Sequence, residues 1–431
     1  MSTNVLLLGG GGREHAIAWK LARSPRFGAL WSAPGNAGTA AFGENLPEVV
    51  PTNVEAVVAT AQRLRADLVV VAPEDPLAVG VSDRLAAEGI AVFGPTRAAA
   101  EIESSKSFAK ELMAGAGIAT GGAVAFDDIA TANAYVRGLA GDGACVVKAE
   151  GLAAGKGVTV CDSAAEALAA IDLAMRQRAF GEAGARVLVE ERLRGPETSA
   201  HAFTDGTTVA HMPFSCDHKP VFDGDRGPNT GGMGVYSPPE WLDDATARTI
   251  ERDVTARTIE ALARAGRPYR GVLYPGMMLT ADGPCVIEFN CRFGDPEAEA
   301  LLPRLRSDLL EICEAVSHGR LGDLAIRWDE DATVGVVMAS GGYPGDYATG
   351  LPIRGVEDVD ADVEVFFAGA QRTPDGALVT SGGRVLCVVA KAPSLAEARA
   401  RAYDNVARIT FEGAHYRTDI GARAVAEGVR A

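Results

Sequence analysis

The first hundred residues repeat one pattern, a short uninterrupted apolar run followed by a helical pattern, and this repeat constrains the fold more than any other feature. The runs include VLLLG at residues 5–9, DLVVVAP at 67–73 and IAVFGP at 90–95. Strands that are apolar on both faces are typical of parallel sheets covered by helices on both sides. We therefore expect a doubly wound α/β domain, whose ligands bind beyond the carboxyl ends of its strands.

The whole chain has 431 residues, which is too long for one common core. A helical pattern capped by Ser104 or Ser105 ends near Gly115–Gly117, and two strand-like runs then flank a helix at 164–178. The last hundred residues contain mostly strand-like runs and one clear helix. We predict a multidomain α/β and α+β protein with domains at residues 1–103, at 104–326 with a lid at about 120–190, and at 327–431, the last being strand-rich.

Composition disfavours several functional classes. The net charge of −16 argues against a nucleic acid or an anionic membrane as partner, because both need clustered Lys and Arg. No apolar run approaches the roughly 20 residues of a membrane helix, and the N-terminal run lacks the basic flank of a signal peptide. The seven cysteines contain no C-x-x-C pair, so a disulfide framework or a zinc site is disfavoured. We expect a cytoplasmic protein.

Four consecutive glycines follow the first strand, in GGGGREHA at residues 9–16. Glu14 stands where a dinucleotide-binding loop needs its third glycine, so NAD binding is disfavoured. One interpretation is a tight turn between strand and helix. The other, which we favour because a turn needs fewer glycines, is an anion site where backbone N–H groups, the helix dipole and Arg13 bind a phosphate.

A second glycine-rich stretch, KAEGLAAGKGVTV, spans residues 148–160. It is not a P-loop, because the spacing is one residue short and Gly157 replaces the hydroxyl residue that binds the metal. It is either an ordinary glycine turn or a different phosphate clamp. In the second case Lys148 places a charge on a nucleotide phosphate, and Gly151, Gly155 and Gly157 let a lid loop close with its N–H groups toward the phosphates.

The motif CVIEFNCRFGDPE at residues 285–297 is a stronger signal. On a strand, Glu288 and Asn290 share one face, and a carboxylate with an amide oxygen suits Mg²⁺ bound to substrate phosphates. Arg292, one step further on that face, is placed to stabilise an acyl phosphate or the anionic transition state that precedes it. The alternative is a half-buried strand with a salt bridge. VLVEERLRGPE at 187–197 is a weaker signal, for a nucleotide hinge.

Taken in order, the motifs show a family resemblance: GGREHAIAWK, APGNAGTA, FGPT, SSKSFAKELM, VVKAEGLAAGKGV, DHK, DGDRGPNTGGMGVYSP, EFNCRFGDPE, SGGYPGDY, TSGGRVL and YRTDIG. Nearly the whole chain resembles the phosphoribosylamine–glycine ligase family of the ATP-grasp superfamily. The resemblance implies ATP-grasp central domains with a small lid. It also implies ATP-dependent ligation of glycine to 5-phosphoribosylamine through glycyl phosphate, giving glycinamide ribonucleotide, ADP and phosphate in de novo purine (IMP) biosynthesis.

The resemblance further implies site residues, by matching motif positions. The implied ATP-binding residues are Lys106, Lys148, Gly151, Gly155, Lys156, Gly157, Glu190, Glu191, Leu193 and Glu197. The implied metal ligands, for Mg²⁺ or Mn²⁺, are Glu288 and Asn290. The implied substrate-binding residues are Gly10, Gly11, Arg13, Asn36, Gly38, Gly294 and Asp295, and the catalytic ones are Arg292, Lys219 and Asp217. The N-terminal members would face phosphoribosylamine, and the others glycine and the transferred phosphate.

The chain departs from the family pattern in three places. Pro220 follows DHK where the family usually has Arg, and Ala72 stands before Pro73 and Glu74 where it usually has Gly. LYPGMML at 273–279 offers no second acidic metal ligand, which puts a two-acid metal site in doubt. Otherwise the resemblance implies a monomer, small-molecule substrates, and a transient contact with the preceding pathway enzyme. We expect no fused downstream purine enzyme.

Two alternatives stay open from the sequence. A ligase for another carboxylate, or a carboxylase-type ATP-grasp enzyme, shares the ATP and metal residues and predicts ATP turnover without glycine. A nucleotide-binding regulatory protein with a dead site predicts ATP binding without phosphate release, and the intact Lys148, Glu288, Asn290 and Arg292 argue against it.

Overall fold

The computed structural model describes residues 2–153 and 156–428. Its N-terminal domain consists of β1 (Thr3–Gly9), α1 (Gly12–Leu21), β2 (Phe27–Pro34), β3 (Glu44–Asn45), α2 (Val54–Leu64), β4 (Leu68–Val71), α3 (Glu74–Ala78), α4 (Val81–Ala87) and β5 (Ala91–Phe93). The strands pair in parallel, in the order β3-β2-β1-β4-β5. The predicted doubly wound sheet is confirmed.

Both faces of this sheet are buried, which explains its uninterrupted apolar runs. Along β1, Leu6 and Leu8 pack into one hydrophobic cluster, whereas Val5 and Leu7 pack into the other. Each fully buried side chain of this size stabilises the fold by roughly 1.5–3 kcal/mol relative to exposure. The carboxyl ends of β1, β2 and β4 therefore lie at one well-packed edge of the sheet. The glycine loop, Asn36 and Glu74 follow these three strand ends.

The next helices, α5 (Arg97–Ser104) and α6 (Lys106–Ala116), lead into the central domain. The Ser105 hydroxyl caps α6 by accepting from the Phe108 N–H at 3.1 Å, and Gly117 ends the helix in the left-handed region with φ of +65°. The predicted cap and end of this helix are confirmed. The cap places Lys106 at the first position of α6.

The lid is a four-stranded antiparallel sheet with two helices. Its elements are β6 (Ala123–Phe126), α7 (Ile129–Arg137), β7 (Cys145–Ala149), β8 (Val158–Cys161), α8 (Ala164–Ile171) and β9 (Val187–Glu191). The strand order is β6-β9-β7-β8. The predicted helix at 164–178 is shorter than expected, because α8 ends at Ile171 and continues as a π-helical segment, Asp172–Arg176. The lid has a hydrophobic cluster of its own.

The second part of the central domain contains β10 (Glu197–Ser199), β11 (Ala202–Thr204), β12 (Val209–His211), β13 (Cys216–Asp217), β14 (Pro220–Phe222), β15 (Arg226–Asn229), β16 (Gly234–Ser237), α9 (Asp244–Ile250), α10 (Arg257–Arg264), β17 (Gly271–Thr280) and β18 (Gly283–Asn290). One sheet has the order β10-β17-β11-β12, with β18 paired to β17. Gly276 pairs with Glu288 but Met277 pairs with Val286, so Ile287 is an extra, bulged residue of β18.

The central domain ends with α11 (Glu297–Leu301) and α12 (Leu309–Ser317), and the C-terminal part contains β19 (Ala332–Ala339), β20 (Val363–Phe367), β21 (Ala370–Arg372), β22 (Leu378–Thr380), β23 (Arg384–Ala392), α13 (Leu395–Val406) and α14 (Ala422–Gly428). Its main sheet has the order β13-β16-β19-β23-β20. Two strands of this sheet come from the central part of the sequence, so the C-terminal unit is built on the central domain. In residues 2–153 and 156–428, no helix combines the length and apolarity needed to cross a membrane.

Candidate active site

A cavity of about 300 Å³ lies where the N-terminal domain, the lid and β18 meet. The chain is acidic overall, yet this cavity is lined by the cationic side chains of Arg13, Lys106, Lys110, Lys148, Lys219, Arg292 and Arg384. Facing them are the carboxylates of Glu74, Glu103, Glu190, Asp217, Glu288, Asp295 and Glu297. The local balance of charge therefore differs from that of the chain, as a site for an anionic substrate requires.

Two lysines of this cavity have the features of a phosphate site. Lys106 donates to the Gly151 carbonyl at 3.1 Å. Lys148 forms an ion pair with Glu190 at 2.9 Å and donates to the carbonyl of the bulged Ile287 at 2.7 Å. Burial, and next the charge of Lys148, lowers the pKa of Lys106. Two ammonium groups close together in a buried site repel each other, and a bound anion would relieve this repulsion.

Glu190 holds Lys148 and a third lysine of the cavity, Lys110, in place. Its carboxylate is 3% exposed and contacts both Lys148 and Lys110, the latter at 3.0 Å. Its backbone is paired with β6 and β7 on either side. The Glu190 side chain, which the resemblance implied to be ATP-binding, thus forms ion pairs with lysines. Glu191 is exposed, and its carboxylate accepts from the Gly122 N–H at 3.2 Å.

Glu288 and Asn290 lie in the cavity as their alternation along β18 predicted. Lys219 lies 3.1 Å from the Glu288 Oε1, and its charge lowers the pKa of Glu288 to about 2. The Asn290 side chain is buried, and its Nδ2 has no hydrogen-bond partner. An ionised carboxylate and an amide oxygen, both in the same cavity, are ligand types that Mg²⁺ prefers. In the described part of the chain no group of three or more His, Cys, Asp or Glu could hold a metal alone.

Asp217 and Lys219 extend the site on the other side of Glu288. Burial raises the pKa of Asp217 to about 7, against the charge of Lys219. Burial opposes the charge of Lys219, but Glu288 and Asp217 raise its pKa well above the usual value. Nearby, the Tyr274 hydroxyl donates to the Glu297 Oε1 at 2.6 Å. This region therefore combines one half-buried cation with several carboxyl groups.

Arg292 is held between two carboxylates from other segments. Its Nε lies 2.9 Å from Glu74 at the start of α3, and its Nη2 lies 3.3 Å from Glu103 in α5. Arg292 lowers the pKa of Glu74 to about 2, and Arg13 acts in the same direction. Burial raises the pKa of Glu103. The orientation of the Arg292 guanidinium is therefore set by two carboxylates from residues 1–103.

The N-terminal glycine loop differs from an open anion site. The Gly11 N–H donates to Glu14 at 2.5 Å, and the Arg13 N–H donates to Asp295 at 3.3 Å. The Arg13 side chain is buried, with its Nε 2.7 Å from Glu14 and its Nη1 3.1 Å from the Phe293 carbonyl. Carboxylates of the chain therefore already accept hydrogen bonds from N–H groups that the sequence predicted to bind a phosphate.

Asn36 and Gly38 stabilise this loop from the adjacent strand end. The Asn36 Nδ2 donates to the carbonyls of Gly10, Gly11 and Phe367 at 2.7–3.0 Å. Its Oδ1 accepts from the Gly38 and Thr39 N–H groups. Gly38 itself is buried beneath His15. Both residues thus hold neighbouring loops together.

A second cavity, of about 380 Å³, lies beside this loop. Its walls come from the N-terminal glycine loop, from the Gly35–Asn36 turn, and from the C-terminal loops around residues 368–371 and 381. Asp295 and Arg384 line this cavity as well as the first one. The N-terminal and C-terminal parts of the chain thus enclose a space adjacent to the lysine-rich cavity.

The predicted residues divide into groups by position. Lining the first cavity are Lys106, Lys148, Gly157, Glu190, Glu288, Asn290, Arg292, Lys219, Asp217, Arg13 and Asp295, and lining the second are Gly10, Gly11, Asn36 and again Asp295. Neither cavity is lined by Gly151, Lys156, Glu191, Leu193, Glu197, Gly38 or Gly294. Gly155 lies outside the described residues. Glu197 is nevertheless close, because Lys219 lies 3.5 Å from its Oε2.

Sequence reasoning missed several cavity residues, namely Lys110, Glu74, Glu103, Tyr274, Glu297 and Arg384. The signal for Lys110 was present, since it follows Lys106 by one helical turn and shares its face. Arg384 stands in the TSGGRVL motif, which contributed to the family resemblance but in which no residue was predicted to have a role in the site. Glu103 and Tyr274 gave no local signal, because their roles depend on contacts with Arg292 and Glu297 from distant segments.

Two of the departures from the family pattern, Pro220 and Ala72, lie near the site and displace no side chain that was predicted to act in it. Pro220 begins β14, and its carbonyl accepts from the Arg417 Nη1 at 3.0 Å. Ala72 is buried directly after β4. Lys219 and Glu74, which adjoin these positions, both lie in the first cavity.

Comparison with known proteins places this geometry in context. The phosphoribosylglycinamide synthetase family matches in three parts: its N domain at residues 3–103, its ATP-grasp (A) domain at 104–298 and its C domain at 333–423. A phosphoribosylamine–glycine ligase of Rhodopirellula baltica is 46% identical over 429 residues, covering 98% of each chain. A solved phosphoribosylamine–glycine ligase of Thermotoga maritima has a TM-score of 0.82 at 32% identity, covering 97% of this chain and 100% of that one.

A more distant structure shares the fold alone. The biotin carboxylase domain of the Hydrogenobacter thermophilus 2-oxoglutarate carboxylase, solved with MgADP and bicarbonate, has a TM-score of 0.76 at 15% identity. The similarity covers 96% of this chain and 92% of that one. The predicted ATP-grasp architecture is confirmed by the match of residues 104–298 to the ATP-grasp (A) domain of the family.

Proposed function

This chain belongs to the phosphoribosylglycinamide synthetase family, and from that premise we propose how its two cavities carry out the family's reaction. The chain is an ATP-dependent ligase that joins glycine to 5-phosphoribosylamine, giving glycinamide ribonucleotide, ADP and phosphate in purine biosynthesis. The resemblance read from its motifs is thus confirmed. The proposal concerns which residues bind each substrate and what they do.

We assign the triphosphate of ATP to Lys106 and Lys148. The observation that carries this assignment is the pair of neighbouring ammonium groups in one cavity, of which Lys148 is buried and Lys106 half-buried, and in which the charge of Lys148 contributes to lowering the pKa of Lys106. Phosphate oxygens would neutralise both groups and gain charge-assisted hydrogen bonds, which are stronger than neutral ones. Glu190, which also pairs with Lys110, keeps Lys148 in position. Gly157 lines the same cavity, on the lid.

ATP-grasp enzymes use a divalent metal ion with ATP. Here Glu288 and Asn290 would hold it, because one is an ionised carboxylate and the other offers an amide oxygen in the same cavity. When bound, the ion would supply positive charge to the phosphate oxygens. Two protein ligands leave the remaining positions to phosphate and water, which is typical of Mg²⁺. We propose Mg²⁺ or Mn²⁺.

We place glycine near Lys219, Asp217 and Arg292. The glycine carboxylate attacks the γ-phosphate, the bond to ADP breaks, and glycyl phosphate forms. Arg292, fixed by Glu74 and Glu103, stabilises the negative charge on the transferred phosphoryl group. No covalent bond to the protein is needed, so the residues act by positioning and by charge. The lid keeps water from the acyl phosphate.

We place 5-phosphoribosylamine in the second cavity, beside the N-terminal glycine loop. Gly10 and Gly11 form part of its wall, and Asn36 fixes their position. In the second step the substrate amine displaces phosphate from glycyl phosphate. The two cavities adjoin at Asp295 and Arg384, so each substrate can have its own compartment beside a shared reaction point.

The substrates are small molecules, and we propose that neither nucleic acid nor membrane is a partner. The net charge of −16 supports this, because both surfaces select clustered cations. We also propose that the chain works as a monomer in the cytoplasm, with at most a transient contact with the enzyme that makes phosphoribosylamine.

Phosphate release from Mg-ATP, measured with one component omitted at a time, tests the function. Phosphoribosylamine is generated in the cuvette from ribose 5-phosphate and ammonia. We expect release to need both glycine and phosphoribosylamine. Release without glycine would favour the carboxylase-type alternative, and ATP binding without release would favour the regulatory one.

The Glu288→Ala variant tests the metal assignment in the same assay. We expect turnover to fall below detection at ordinary Mg²⁺. Glu357→Ala, which alters an exposed carboxylate of the C-terminal part, serves as the matched control. Normal turnover in Glu288→Ala would contradict the assignment.

A further inference from the structure

One ion pair forms the boundary between the two cavities. Among the described residues, Asp295 and Arg384 alone line both of them. The Arg384 Nη1 lies 3.0 Å from the Asp295 Oδ1 and donates to the Asp295 carbonyl at 2.7 Å. The other carboxylate oxygen, Oδ2, accepts from the Arg13 N–H at 3.3 Å. The carboxylate is therefore held in one orientation from two sides.

The position of this pair matters because of the reaction, so the inference rests on the function proposed above. Glycyl phosphate forms in the first cavity, and the amine comes from the second. The attacking nitrogen therefore meets the carbonyl carbon at the shared boundary. We propose that Asp295 accepts a proton from the attacking amine, and that Arg384 positions the carboxylate for this transfer.

The step balances without any further reagent. The amine nitrogen attacks the carbonyl carbon, and a C–N bond forms. The C–O bond to the phosphoryl group breaks, and inorganic phosphate leaves with the bonding electron pair. The nitrogen, which becomes cationic on attack, gives one of its two protons to a carboxylate oxygen of Asp295 and keeps the other as the amide N–H. A carboxylate suffices as acceptor, because the cationic nitrogen is far more acidic than a free ammonium.

The other carboxylates near the boundary are less suited to this role. Asp295 is the only acidic residue that the described chain contributes to the second cavity. In the first cavity, Glu288 contacts Lys219, whereas Glu74 and Glu103 contact Arg292. Glu299 lies behind the pair, and burial, then the charge of Asp295, raises its pKa well above the usual value. It lines neither cavity.

Arg384 reaches the boundary from the C-terminal sheet. It starts β23, and its Nη1 also donates to the Gly231 carbonyl at 2.7 Å. This connects the boundary to the glycine loop of the GPNTGGMG motif. Arg384 acts on the amine only through Asp295, so it is a positioning residue.

Hydroxylamine separates the two half-reactions. It is a small nucleophile that captures acyl phosphates as hydroxamates, without the second cavity being filled. The assay measures glycine hydroxamate with hydroxylamine, and glycinamide ribonucleotide with phosphoribosylamine. For Asp295→Asn we expect ribonucleotide formation to fall by roughly 10²–10⁴-fold, the usual range for general acid–base groups. Hydroxamate formation should stay within about threefold, which also shows that the variant is folded.

Arg384 variants test the positioning role. Arg384→Met should lower ribonucleotide formation by about 10–100-fold with little change in hydroxamate, and Arg384→Lys should recover part of the loss because it keeps a cation. Asp375→Asn is the matched control, since Asp375 lies in an exposed turn beside Thr373.

Three outcomes would overturn the proposal. The first is a loss of hydroxamate and ribonucleotide together in Asp295→Asn, because Asp295 would then serve the first step. The second is full ribonucleotide formation in that variant. The third is the absence of hydroxamate with the unaltered chain, which would remove the acyl phosphate itself and the role of Asp295 with it. Only the third would also contradict the proposed function.

Discussion

The chain contains two glycine-rich stretches, residues 9–12 and residues 148–160, and the structure uses them differently. At Gly10 an added Cβ would lie 2.6 Å from the carbonyl oxygen of Gly35, so two backbones meet there at the strand ends. At Gly157 it would lie 2.7 Å from the Ala153 Cβ and 3.1 Å from the Ala149 Cβ. The first stretch packs against fixed backbone, whereas the second packs against small side chains.

The charges around the two stretches differ as well. Near residues 9–12, Glu14 and Asp295 already accept from backbone N–H groups, and Arg13 is buried among carboxylates. The second stretch begins with Lys148, which lines the cavity together with Lys106. We infer that the first stretch packs the N-terminal domain against the rest of the chain, and that the second stretch binds the nucleotide. Glycine content alone does not distinguish these roles. It indicates where backbones approach closely, whereas the roles depend on the charged side chains nearby.

The largest predicted effect is that acid lowers the free energy of unfolding through the contacts around residues 9–12. Arg292 and Arg13 lower the pKa of Glu74 to about 2, below its unfolded value. Such a group stabilises the fold above its unfolded pKa and loses this contribution as the pH falls through the folded pKa. We expect a loss on the order of 3 kcal/mol from Glu74 as the pH falls from about 5 towards 2.

Urea unfolding between pH 7 and pH 2.5 checks this prediction. The midpoint of Glu74→Gln should be lower at pH 7 and should fall less steeply with acid. Other carboxylates, such as Glu288, contribute equally in both proteins, so the difference between them isolates Glu74. Parallel curves for the two proteins would contradict the role of Glu74.

Gly10→Ala should have the next largest effect, a loss of about 2–3 kcal/mol in the free energy of unfolding, because the Cβ meets backbone that no side-chain movement can displace. Gly115→Ala is the matched control, since it lies within α6 with nothing within 4 Å of its Cβ. It should stabilise the protein by about 0.5–1 kcal/mol. Denaturant midpoints measure both. Equal effects would show that local packing does not distinguish the two sites.

Lys148→Met should raise the KM for ATP by about 30-fold, which corresponds to roughly 2 kcal/mol for a lost charge-assisted contact. Initial rates at saturating glycine and phosphoribosylamine provide the measurement. Arg176→Met, which alters an exposed lid cation paired with Asp172, should leave this KM unchanged. A similar rise in both variants would point to a general effect of lid charge.

Gly157→Ala should have the smallest effect, a loss of about 1 kcal/mol, because only alanine methyl groups oppose the new Cβ and the loop can yield. The KM for ATP should rise a few-fold. A loss as large as that of Gly10→Ala would show that the second stretch is as tightly packed as the first, and would remove the contrast between them.

The sequence predicted secondary-structure elements better than it predicted contacts between distant segments. The apolar runs of β1, β4 and β5 and the cap and end of α6 could be located because they depend on periodicity and on local backbone bonds. The helix at 164–178 was predicted too long, since nothing local marks the change to a π-helical segment at Asp172. The joining of β13 and β16 to the C-terminal sheet left no local signal either, because it pairs strands far apart in sequence.

The sequence by itself determined the family, the parallel N-terminal sheet, and the alternation that places Glu288 and Asn290 in one cavity. Each depends on order along the chain or on the two-residue period of a strand. Only the tertiary structure decided that carboxylates fill the N-terminal glycine loop, that Glu190 holds lysines, and that Asp295 and Arg384 separate two cavities. These features depend on which side chains meet across domains, and that is decided by packing and electrostatics between segments remote in sequence.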